Sequence, residues 1–171
     1  MGSDAYADKL EAEKARSTLQ LLFKAARLIN ERAIALVRSR TNRPLRVAHT
    51  TLLPHVDLEG TRLTDLAARL GVTKQAVGQL VDELVEMGLL ERVPDPSDAR
   101  AKLVRFSKRG RAALFEGLSV LGELEAELRA VVGENGMRAL HDTLTAIVQR
   151  EESLVAAPLD AARGLRRGPG S

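Results

Sequence analysis

Between Leu63 and Leu84 the apolar positions repeat at helical spacing in two successive blocks. Leu63, Leu66, Ala67 and Leu70 fall at i, i+3, i+4 and i+7 and share one face. Thr64 is placed to cap this first helix, and Gly71 to end it in the left-handed conformation glycine adopts without strain. Thr73 is placed to cap a second helix in which Val77, Leu80, Val81 and Leu84 form the apolar side. Lys74, Gln75, Gly78, Gln79 and Asp82 occupy the other side. Helix, three-residue turn and helix make the pattern of a helix-turn-helix.

The rest of the chain surrounds this unit. Helix formers dominate from about Ala7 to Arg40, with Leu19, Leu22, Ala26, Ile29, Ala33 and Leu36 along one side. This predicts one long helix or two nearly collinear ones, broken by Asn42-Arg43-Pro44. A further helix is expected from Arg46 to about Val56, kinked or shortened by Pro54. After Gly88, two β-prone runs flank Asp95-Pro96-Ser97-Asp98-Ala99-Arg100, which reads as a hairpin with a loop longer than two residues. Beyond Gly110, Leu114, Leu118, Leu121, Leu124, Leu128 and Val131 keep a near-heptad spacing. Gly133-Glu134-Asn135-Gly136 reads as a turn into a final helix with Met137, Leu140, Leu144, Ile147 and Val148. The tail from about Ala161 is expected to be disordered.

The polar positions suggest a polyanionic partner. Gln75 and Gln79, four apart, stack on one helix surface, and a glutamine amide matches the donor and acceptor edge of adenine in the major groove. Gly78 removes a side chain where the helix would approach a duplex. The hairpin tip and return strand carry Arg100, Lys102, Arg105, Lys108 and Arg109 against only Asp95 and Asp98. Beside a helix-turn-helix, a cationic hairpin reads as a wing that reaches phosphates or the minor groove.

These same residues resemble a known family. Gly71-Val72-Thr73-Lys74-Gln75-Ala76-Val77, Leu80-Val81-Asp82-Glu83-Leu84, Gly88-Leu89-Leu90-Glu91-Arg92 and Asp95-Pro96-Ser97-Asp98-Ala99-Arg100-Ala101-Lys102-Leu103-Val104 are similar to the MarR family of bacterial transcriptional regulators. The likeness is densest from about Thr61 to Arg111, and the Asp-x-Arg of the wing is its most specific part. It implies that Asp98 orients Arg100, a wing-tip arginine for the minor groove. Ala99 stands where many members have a second arginine. Gln75 and Gln79 stand where small hydroxyl residues and an arginine are common. The resemblance also implies an effector pocket between the long helices and the winged domain, with Phe23, Arg27, Arg46, His49 and Thr50 as its expected lining.

Composition narrows the function classes. The chain has 171 residues, 44% hydrophobic and 29% charged, with a formal charge of +3; the sequence pI is about 9.6. There is no cysteine, which excludes disulfides, thiol catalysis and thiolate metal sites. No apolar run approaches the ~18 residues of a membrane span and no secretory signal is present, so a cytoplasmic protein is expected. His49, His55 and His141 lack ligand spacing, and His141-Asp142 is adjacent in sequence and so cannot form a dyad on a helix. No phosphate-binding loop, zinc-protease helix or nucleophile elbow occurs. No catalytic residue, metal or cofactor is assigned, and no enzyme is expected. Aromatic residues are scarce (Tyr6, Phe23, Phe106, Phe115), so an aliphatic or anionic effector is as plausible as a flat aromatic one.

The expected fold is mainly α with a small β-hairpin wing: a winged helix-turn-helix core flanked by long dimerisation helices. The expected divisions are an N-terminal dimerisation helix (1–44), the DNA-binding domain (45–110), C-terminal dimerisation helices (111–160) and a disordered tail (161–171). The terminal helices carry more apolar surface than a winged domain covers, which implies a two-fold homodimer with reading heads about one DNA turn apart. The function expected is a sequence-specific transcriptional regulator, a repressor on a palindromic operator, released by a small-molecule effector. Thr73, Lys74, Gln75, Gln79, Asp98, Arg100 and Lys102 form its DNA-binding set. Two alternatives stand beside it: a constitutive architectural DNA binder, and a winged-helix protein-interaction module.

Overall fold

Ser17 divides the N-terminal helical run in two. Its hydroxyl accepts from the Gln20 amide at 3.4 Å, capping α2 (Thr18–Thr41) after α1 (Ser3–Arg16). The computed structural model describes residues 3–156, so the tail from Ala161 lies outside the described residues. Asn42 closes α2 in the left-handed conformation (φ 53°) and its amide returns to the Arg38 carbonyl. α3 is short (Val47–Leu52) and tightens into a 3-10 turn over Leu53–His55. Pro54 is the reason: it has no amide to bond back to the preceding turn.

The helix-turn-helix follows. β1 (Thr61–Arg62) leads into α4 (Leu63–Leu70), and α5 (Lys74–Glu86) comes after a short turn. Gly71 ends α4 at φ 65°, and Thr73 caps α5 by accepting from the Ala76 amide at 3.2 Å. Thr64 is not the cap of α4. The N-cap position belongs to Arg62, one residue before the helix, with no side-chain cap bond; Thr64 lies inside the first turn and its hydroxyl meets Asp65. Strand β1 fixes the extended residue before the helix and so decides the boundary.

The wing consists of β2 (Leu90–Asp95) and β3 (Asp98–Phe106). With β1 they form an antiparallel sheet in the order β1-β3-β2. The turn is shorter than expected from sequence, because Asp95 pairs with Asp98 across Pro96-Ser97 alone. The register slips there, however. Regular pairing from Leu90↔Phe106 runs to Pro94↔Lys102 and then jumps to Asp95↔Asp98, so Ala99, Arg100 and Ala101 bulge from β3 without partners on β2.

The core lies beneath these elements. Leu66, Val77, Val81 and Leu84 of the two helices pack with Leu52, Leu89, Leu90, Val104 and Phe106. Ser107 caps α6 (Lys108–Ala156) by accepting from the Gly110 amide at 2.9 Å, and donates to the Gly88 carbonyl at 2.6 Å. A Cβ at Gly110 would stand 1.8 Å from the Leu89 carbonyl oxygen, so only glycine allows this junction. The four-residue turn expected at 133–136 is confined to Gly133 (φ 76°, ψ 166°), with helix on both sides.

The chain forms two compact units, Met1–Leu124 and Glu125–Ser171. In the first, Val120 and Leu124 bury against Ala33 of α2. Arg40 grips Glu123 with two bonds of 2.7 and 2.6 Å, and Arg43 reaches Glu116 at 2.7 Å. The second is helical through its described residues, with Val131, Leu140, Ile147, Val148 and Val155 exposed. No helix among the described residues is long and apolar enough to cross a membrane.

Candidate nucleic-acid interface

The two faces of α5 separate as their spacing requires. Val77, Val81 and Leu84 are fully buried, and Leu80 is half-buried against the same core. Lys74, Gln75, Gln79 and Asp82 are exposed. Neither glutamine amide has a hydrogen-bond partner among the described residues, so both present their full donor and acceptor capacity. Asp82 is engaged: Arg92 at the base of the wing holds it at 2.6 Å. Gly78 is half-buried, and a Cβ there would meet Leu63 Cδ2 at 3.7 Å, so it lies toward α4. An ordinary side chain would fit; close approach to a duplex is not what this glycine serves locally.

The wing is organised by a residue to which sequence reasoning gave no role. Asp95 is only 6% exposed and accepts four kinds of donor. The Ser97 amide and hydroxyl reach its Oδ1 at 2.8 and 2.6 Å, while Arg62 Nε and Nη2 reach its Oδ2 at 2.7 and 2.6 Å. These bonds, those from Ser97 first and Arg62 after, pull its carboxyl down to about 2. Arg62 also donates to the Ser97 hydroxyl at 3.2 Å, so β1 and the wing turn are tied together.

Asp98 acts on Arg100 through the backbone. Its Oδ1 accepts from the Arg100 amide at 3.0 Å, which fixes the bulge and leaves the guanidinium unheld. The expected orienting role is therefore a constraint on the main chain. Arg100 and Lys102 are exposed, and among the described residues no carboxylate lies within ion-pair distance of them or of Lys74. Arg105, by contrast, is spent on Glu91 at 2.8 Å. Five residues of the wing and α5 thus offer unpaired cationic or amide groups: Lys74, Gln75, Gln79, Arg100 and Lys102.

A second buried group braces α5 from behind. His49 is fully buried; its Nδ1 accepts from the Arg46 amide at 3.1 Å, so Nε2 carries the proton and donates to Glu83 Oε2 at 2.9 Å. Arg46 donates to the same oxygen, and its bond, then that of His49, lowers the Glu83 pKa. Arg69 similarly clamps Asp57 at 3.1 and 2.9 Å and reaches the His55 carbonyl at 2.7 Å.

A cavity of about 460 Å³ opens between α2, the Arg43–Leu45 segment, α3, the base of the wing and the start of α6. Of the residues expected to line an effector pocket, only Thr50 lines this cavity. Phe23 is 64% exposed and Arg27 pairs with Glu31 at 2.9 Å. Arg46 and His49 are committed to Glu83. The wall is instead Asn30, Ile34, Arg43, Leu53 and Leu114 with their neighbours. A pocket assembled from residues some ninety positions apart leaves no local spacing to read.

Comparison with known proteins agrees with this geometry. The MarR family model matches residues 45–101, the span from α3 into the wing bulge. The LexA repressor of Deinococcus radiodurans is 33% identical over 76 residues, which are 44% of this chain and 34% of that protein. This chain therefore matches about a third of that repressor's length. A MarR-family transcriptional regulator from Rhodococcus sp. RHA1 is 25% identical with a TM-score of 0.56, over 75% of this chain and 89% of its own. CouR from Rhodococcus jostii RHA1, whose structure holds p-coumaroyl-CoA, is 26% identical with a TM-score of 0.57, over 78% and 93%. Residues 45–101 match the MarR family model in sequence, and the chain as a whole is similar in fold to MarR-family winged helix-turn-helix regulators.

Proposed function

We propose that the protein is a homodimeric transcriptional repressor that binds a palindromic operator and is released by a small molecule. α5 enters the major groove, where Gln75 and Gln79 read base edges and Lys74 meets phosphate. Thr73, whose hydroxyl oxygen already caps α5, can still donate its proton to a phosphate at the helix N-terminus. Arg100 and Lys102 anchor the wing, and Asp98 holds the bulge that carries Arg100. The observation that most supports this reading is the set of exposed, unpaired Lys74, Gln75, Gln79, Arg100 and Lys102, when most arginines among the described residues are paired.

Dimerisation falls to residues 1–44 and 111–160, whose helices expose Leu19, Phe23, Phe115, Leu118, Ile147 and Val148. Two-fold symmetry would set the two α5 helices about one duplex turn apart, ~34 Å. The cavity beside α3 serves as the effector site, since α3 and its N-cap residue Arg46 also supply the Arg46 and His49 brace on α5. An effector there would favour a spacing of the heads that no longer suits the operator. Band-shift titration of wild type against Lys74→Ala/Arg100→Ala tests the interface. Loss of binding in the double variant, at unchanged thermal stability, is the expected result; equal affinity of both proteins would remove the assigned surface.

A further inference from the structure

The wall of the 460 Å³ cavity carries a chemical preference of its own. Its size is that of a small-molecule site. Nearly every lining side chain is aliphatic, and Phe106 is the one aromatic among them. Three polar residues reach it: Asn30, Thr50 and Arg43. Thr50 is satisfied internally, donating to the Val47 carbonyl at 2.9 Å and accepting from Asn30 Nδ2 at 3.1 Å.

Arg43 is not satisfied. Its side chain is 11% exposed, and Nη1 donates to Glu116 at 2.7 Å. Its Nε is the buried side-chain donor left without an acceptor among the described residues. A buried donor in this position favours any ligand that brings an acceptor. Which acceptor follows from Glu116. The guanidinium charge is already matched by that carboxylate, so an incoming anion would add an unbalanced negative charge to an apolar space and lie close to Glu116. A neutral carbonyl oxygen would take the Nε–H without that penalty.

We propose that the cavity takes an uncharged, mainly aliphatic molecule with a ketone or ester carbonyl, received by Arg43 Nε–H, and that Glu116 excludes anions of the same length. This rests on the reading of the cavity as the ligand site. Glu116 is half-exposed, so its replacement leaves the core intact. Gly117 on the wall has nothing within 4 Å of where a Cβ would stand, so Gly117→Leu adds bulk without displacing backbone.

The test is calorimetric titration of the full chain with 2-decanone and with decanoate, in wild type, Glu116→Gln and Gly117→Leu. Wild type should bind 2-decanone at least ~10-fold more tightly than decanoate, about 1.4 kcal/mol. Glu116→Gln should narrow or invert that ratio, and Gly117→Leu should weaken both probes. Decanoate binding wild type as tightly as the ketone would overturn the proposed ligand class, as would an unchanged ratio in Glu116→Gln, and either would leave the cavity itself standing. Failure of both probes to bind wild type, or undiminished binding in Gly117→Leu, would remove the cavity as the site and the proposal with it.

Discussion

Arg100 and Asp95 divide the work of the wing between them, one reaching outward and the other holding the turn from which it reaches. Arg100→Ala should cost on the order of 1–3 kcal/mol of DNA affinity, read by band shift at fixed salt. An unchanged dissociation constant would contradict its assigned role. Gln79→Ala should behave differently, flattening base preference across a panel of operator variants more than it lowers affinity; a uniform loss would assign Gln79 to backbone contact. Asp95 carries a pH signature. Its carboxyl lies at about 2 in the folded chain against an ordinary 3.8, so the stability it contributes is complete above about 4 and is lost as pH falls through that interval. Asp95→Asn should flatten the stability curve between about pH 4 and 2, followed by circular dichroism during acid titration; an acid limb identical to wild type would contradict the latch. The contact between Asp98 and Arg100 was legible in the sequence because Asp-x-Arg is a local pattern. Asp95 was not, because its main cationic partner, Arg62, lies 33 residues away and meets it only once the sheet has formed.

The same divide between local and distant information runs through the elements. Gly71, Thr73 and the apolar stripe of α5 act within one or two turns, so both helices of the reading head could be placed from spacing alone. Thr64 misled because β1 holds Arg62 extended and starts α4 at Leu63. The wing turn misled because a two-residue turn and a bulge together look like one long loop. The brace on α5 is invisible in sequence, since Arg46, His49 and Glu83 meet across 34 to 37 residues. Element packing makes its own prediction at Gly110, where α6 starts against the Leu89 carbonyl. Gly110→Ala should destabilise the protein by roughly 1–3 kcal/mol or more, because the clash is with backbone that has no rotamer to change. Chemical denaturation measures it, and a midpoint equal to wild type would show that the junction relaxes without cost.

For the whole molecule, the exposed apolar positions of α2 and α6 link the fold to the proposed palindrome. A single copy of the chain leaves Phe115, Ile147 and Val148 in water, while a two-fold pair would cover such surface and duplicate the reading head. Ile147→Glu should therefore shift the protein toward monomer in sedimentation and weaken operator binding together; a monomeric variant with full affinity would separate dimerisation from DNA recognition. The long helices were legible as helices, and their surplus of apolar residues as exposed surface, because both are properties of composition and period. The central claim, that this is a sequence-specific regulator, is tested most directly by selecting genomic DNA fragments on the full chain against random competitor at two salt concentrations. Recovery of a palindrome whose half-sites lie about one turn apart, retained under competitor at the higher salt, is the predicted result. Binding without a motif, lost as salt rises, would reduce the interaction to phosphate contact and contradict the account.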